Sequence, residues 1–168
     1  MMTDCLLVDG YNILHAWPHL AKLMDRDLEH ARTKLIEQLN NYGALTGTKI
    51  IIVFDAHLVK GGQGGSEETG GVEIIYTPEG VTADMAIEKL AARLAADRQV
   101  TVATSDWTQQ RMVFAKGAVR MPARELLAEV LAAKEGIEAY NGSAAEGGIR
   151  EHLSEEIKGI LEKIRRSK

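Results

Sequence analysis

The stretch LLVDGYNIL, Leu6 to Leu14, decides how this chain is read. Together with Cys5 it opens on four apolar residues in a row, Cys5 to Val8. A short continuous apolar run of that kind reads as a strand covered on both faces. The run then ends on Asp9, Gly10, Tyr11 and Asn12. A carboxylate at the end of a buried strand is costly unless it caps a turn, meets a partner or holds a cation.

Four further runs have the same character: KIIIVFD, VEIIY, QVTVAT and GAVRM. Helical patterns lie between them. Leu28, Ala31, Leu35, Leu39 and Tyr42 recur at three- and four-residue spacing, and so do Met85, Ile87, Leu90, Ala91 and Leu94, less regularly. A third helix is expected from Ser105, whose hydroxyl can cap free N–H groups. A fourth is expected from Pro122 through ARELLAEVLAAK, since proline suits a first helical turn. Strand–helix alternation implies an α/β fold with a mostly parallel central sheet wrapped by helices. Between the second and third strands, AHLVKGGQGGSEETGG has no helical pattern and reads as a long glycine-dense loop, with residues 61–71 at its centre. The expected organisation is a domain over 1–136, a linker over 137–150 and a short amphipathic helix over 151–168. Leu153, Ile157, Ile160, Leu161 and Ile164 form the apolar face of that helix.

The 168 residues suffice for one well-cored domain with an appendage, and the hydrophobic share of 45% argues against a disordered chain. Cys5 is the single cysteine, which excludes a disulfide framework or a cysteine metal site and suits a reduced, cytoplasmic setting. No signal peptide or membrane span is expected, because IIIVF is far too short to cross a bilayer. The net charge of −4 argues against a general polyanion binder. Positive charge is nonetheless local: Arg111, Lys116, Arg120 and Arg124 follow Trp107 with no acid among them.

The acids carry the chemistry. In open parallel sheets, ligands bind beyond the carboxyl ends of the strands. Asp9 ends the first strand and Asp55 the second, Asp106 follows the fourth, and Asp84 opens the helix after the third behind a Thr82 cap. Each alone has a structural explanation, as a turn former or a helix N-terminal acid. All four on one edge is another matter. Two like charges about 4 Å apart repel by roughly 4 kcal/mol at an effective dielectric near 20. Such a cluster raises its own pKa values or takes cations between its oxygens. Hard divalent ions, Mg²⁺ or Mn²⁺, suit all-oxygen ligands. Asn12 could bond a phosphate, brace a carboxylate or stabilise its own turn. Thr104 and Ser105 could donate to a ligand, with capping the simpler role for Ser105. Arg111 could touch a substrate phosphate or stay solvated. Tyr11 and Trp17 could stack a base, although aromatics near a strand end are more often core.

LLVDGYNIL, AWPHLAKLMDRDLEHAR, IIIVFDAH, GGVEIIYTPEGVTADMAIEKL and VATSDWTQQRMVFAKGA, in this order, resemble the YacP-like group of NYN-domain proteins, within the wider PIN-like nuclease superfamily. The resemblance runs from Leu6 to Lys134 and extends to the tail. It implies a three-layer α/β/α sandwich and a divalent-metal endoribonuclease site. By matching motif it implies Asp9, Asp84 and Asp106 as metal-binding acids, Asp55 as a supporting catalytic acid and Asn12 as an active-site polar residue. The group includes a ribosome-associated endoribonuclease that cuts mRNA in the decoding site, so RNA and the ribosome are the implied partners.

Two other readings compete. A noncatalytic RNA- or ribosome-binding module could retain the acidic edge as scaffold. A receiver-like signalling domain would want a lysine after a late strand, where AVRMPAR has none. Gly61, Gly62 and Gln63 spell the tripeptide that release factors use, but in so glycine-rich a loop the match carries little weight.

Overall fold

The computed structural model describes residues 4–55, 64–105 and 117–144. Its elements run β1 (Cys5–Asp9), α1 (Gly10–Ala16), α2 (Pro18–Arg26), α3 (Leu28–Thr46), β2 (Lys49–Phe54), β3 (Gly65–Thr69), β4 (Val72–Tyr76), α4 (Ala83–Leu94), β5 (Val100–Ala103), β6 (Val119–Met121) and α5 (Ala123–Ala144). The six strands form one sheet in the order β3-β4-β2-β1-β5-β6. All pairings are parallel except β3 with β4. The central strands are the apolar runs of the sequence, and β1 is buried along its whole length.

Alternation along the strands divides the core into two layers. Leu6, Val8, Ile50, Ile52, Phe54 and Ile74 pack with residues of α1, α2, α3 and α5. Cys5, Leu7, Ile51 and Val53 pack with Ala83, Ile87 and Ala91 of α4. The architecture is therefore the expected three-layer α/β/α sandwich. Trp17, fully buried between α1 and α2, donates its ring N–H to the Ala123 carbonyl at 2.8 Å and ties this junction to the start of α5.

Three features differ from the sequence reading. The helices α1 and α2 occupy a stretch for which no helix was expected. Asp9 caps the first and Pro18 stands at the start of the second. Part of the glycine-dense loop is a strand, β3, paired antiparallel with β4. Glycine is needed at its turn: Gly70 has φ 61°, and a Cβ there would lie 2.6 Å from the Asn40 side chain. Asn40 Oδ1 also accepts from the Gly71 N–H at 3.0 Å, so the turn is docked on α3. Finally, α5 continues to Ala144, into the stretch expected as linker. The tripeptide at 61–63, the expected helix after Ser105 and the tail from 151 lie outside the described residues.

Candidate active site

Strand order determines where a ligand can enter. From β1 the chain moves one way, to β2, and from β5 it moves the other way, to β6. A crevice therefore opens beyond the carboxyl ends of β1 and β5, where the chain's direction of travel reverses. Asp9 stands at the end of β1 and Thr104 and Ser105 follow β5, so both sides of that crevice carry expected site residues.

Asp9 is 9% exposed. Its carboxylate accepts the Asn12 N–H at 3.5 Å and so caps α1. The Asn12 side chain reaches across the crevice, where its Oδ1 accepts the Ser105 N–H at 2.5 Å. The first helix is thus tied to the turn after β5, and Asn12 acts as a brace. Thr104 is fully buried, with its N–H bonded to the Met121 carbonyl of β6, while Ser105 is exposed.

Asp55 lies two residues beyond Val53, the register partner of Asp9. Its Oδ2 accepts the Ala83 N–H at 3.4 Å, which joins the end of β2 to the start of α4. Thr82 caps that helix through the Met85 N–H, as expected, and Asp84 sits half-buried in its first turn. The structure therefore brings Asp55 and Asp84 to one helix N-terminus, and Asp9, Asn12 and Ser105 to the crevice. Asp106 and Arg111 lie outside the described residues. Among the described residues, no three of His, Cys, Asp and Glu are grouped closely enough to hold a metal ion.

On the α1 and α3 face of the same edge, the Phe54 ring packs against Gly10, where a Cβ would lie 2.3 Å from the ring. Tyr11, Phe54 and Tyr76 form a row, with ring centroids 5.0 and 5.7 Å apart. Tyr11 is buried, as the simpler sequence reading held, and its hydroxyl accepts from Arg32 Nη1 at 3.1 Å. Arg32 also pairs with Glu29. Burial opposes its charge, but the bonds to Tyr11 and Glu29 raise its pKa and keep it cationic. Burial and the Glu67 carboxylate push the Tyr76 phenol up, while Arg32 pulls it down. Sequence reading missed Arg32 and Tyr76 as candidate site residues. They are far apart in the chain and meet only through α3 and β4.

The family model for the YacP-like NYN domain matches residues 6–166. The chain belongs to the YacP-like NYN domain family. It is 45% identical to YacP of Bacillus subtilis (strain 168), over 97% of each chain. Two crystal structures of Rae1 (YacP) from Bacillus subtilis are similar to it. One, of a tryptophan-to-leucine mutant, has a TM-score of 0.77 and 42% identity, over 98% of this chain and 96% of that one. The other has a TM-score of 0.71 and 43% identity, over 99% and 96%. The NYN domain is nuclease-like, so this YacP-like chain carries a nuclease-like domain. Among its described residues, no helix is long and apolar enough to cross a membrane.

Proposed function

We propose that the chain is a divalent-metal-dependent endoribonuclease of the cytoplasm. Its substrate is RNA, and mRNA in the ribosomal decoding site is the context favoured by its resemblance to the family. One observation carries the reading: a largely buried carboxylate, Asp9, ends the central strand at the switch-point crevice of a nuclease-like domain. The other side chains at this edge, Asn12, Thr104, Asp55 and Asp84, offer oxygens, and this is the chemistry that hard divalent ions prefer.

Asp9, Asp84 and Asp106 would hold Mg²⁺ or Mn²⁺. A divalent ion bound there supplies Lewis acidity and lowers the pKa of water. The chain's own residues position everything else. Asn12 holds the turn at Ser105, and Asp55 holds the first turn of α4, where Asp84 stands. Water attacks phosphorus in line, and the ribose 3′ oxygen departs. The products carry 5′-phosphate and 3′-hydroxyl ends.

A noncatalytic RNA- or ribosome-binding module is the second reading. In it Asp9, bonded to the Asn12 N–H, and Asp55, bonded to the Ala83 N–H, serve only to hold helix starts. Cleavage of naked RNA and of mRNA on translating ribosomes, with Mn²⁺ or EDTA, separates the two. The nuclease reading predicts metal-dependent cuts. Binding that is indifferent to EDTA, with no cut in either setting, would establish the binding module.

A further inference from the structure

The acids at this edge, Asp9, Asp55 and Asp84, repel RNA wherever no divalent ion neutralises them, and a cation beside them offsets phosphate charge. The edge of the sheet carries such a group on the α3 face. A guanidinium has five N–H donors, and Arg32 uses one on Tyr11 and one on Glu29. Tyr11 stands two residues after Asp9, so this cation is anchored to the site's own helix. The Arg32 side chain is 14% exposed, whereas Glu29 is 82% exposed. A carboxylate that exposed binds weakly, and a phosphate can compete for the guanidinium. Beyond Phe54, Tyr76 is partly exposed at the end of β4, with one ring face backed by Phe54.

We propose that Arg32 and Tyr76 form the track that holds the RNA strand on the β4 side of the crevice. Arg32 takes a backbone phosphate, and Tyr76 stacks an unpaired base. The track rests on the endoribonuclease reading. It also determines substrate form, since a base can reach Tyr76 only when unpaired.

The test is anisotropy of a fluorescein-labelled unstructured RNA oligonucleotide against the full chain, in EDTA, across a salt series. Arg32→Gln and Tyr76→Leu should each weaken binding by about tenfold. Arg32→Gln should also lower the logarithmic salt slope by roughly 0.7, the value for one phosphate contact on a single strand. Tyr76→Leu should leave that slope unchanged. Tyr11→Phe removes the hydroxyl that holds Arg32 but keeps its charge, so it should also keep the slope. If Arg32→Gln keeps the wild-type slope, or matches Tyr11→Phe in both slope and affinity, Arg32 is a brace and the track is overturned. If the wild type cleaves RNA with Mn²⁺ while both variants bind in EDTA as it does, the track falls and the nuclease reading stands. A wild type that binds no RNA in EDTA and, with Mn²⁺, cuts neither naked RNA nor mRNA on translating ribosomes overturns both.

Discussion

At the scale of single residues, Asp9 has two tasks: it caps α1 through the Asn12 N–H, and it places a carboxylate in the crevice. The tasks separate by substitution. Asparagine is as good an N-cap as aspartate, so Asp9→Asn should fold normally and lose metal-dependent cleavage. Asp9→Ala should also lose about 1 kcal/mol of stability, read as a lower thermal midpoint. Asn12 is a positioning residue. Asn12→Ala releases the Ser105 turn and should lower cleavage by about 100-fold through misplacement, with little change in thermal midpoint. Single-turnover rates and melting curves check both. Asp9 was legible in the sequence because an apolar run ending in an acid is a local signal. The brace was not, since Asn12 and Ser105 stand 93 residues apart and no spacing rule joins them. Asp55 was legible as an acid at a strand end, while its bond to the Ala83 N–H needed the fold to bring β2 and α4 together.

At the scale of elements, hydrophobic burial explains both the success and the failure of sequence reading. The strands β1, β2 and β5 are nearly continuous apolar runs because both faces are covered, and α3 shows its buried stripe in Ala31, Leu35, Leu39 and Tyr42. The short helix α1 has too few turns to show a period, and its start is marked only by the cap that also looks like a ligand. The strand β3 is exposed throughout and has no apolar pattern at all. It exists through its pairing with β4 and through the Gly70 turn seated on Asn40. Two substitutions test how α1 is docked. Gly10→Ala forces Phe54 to move and should cost about 1–3 kcal/mol. Trp17→Phe removes the ring N–H that bonds the Ala123 carbonyl and should cost about 0.5–1.5 kcal/mol, beyond any loss of packing. Urea unfolding midpoints measure both.

At the scale of the whole molecule, α3 and α5 are locked by a buried bond in which the Tyr42 hydroxyl donates to Glu129 Oε2 at 2.7 Å. Burial and the Glu129 charge hold the Tyr42 phenol well above its ordinary range. An unfolded phenol ionises at about pH 10, so above that pH the folded chain keeps a proton that the unfolded chain has lost. Stability from this group is complete below about pH 10 and declines as pH rises further. Thermal melts should therefore show a wild-type midpoint that drops more steeply above about pH 10 than that of Tyr42→Phe. The strand order opens the crevice between β1 and β5. The nuclease reading rests on Asp9 at this crevice. Its most direct test is end mapping of RNA incubated with Mn²⁺ and either the wild type or Asp9→Asn, on naked RNA and on translating ribosomes. The wild type should leave 5′-phosphate and 3′-hydroxyl ends and a folded Asp9→Asn should make no cut; equal cleavage by both proteins would overturn the reading.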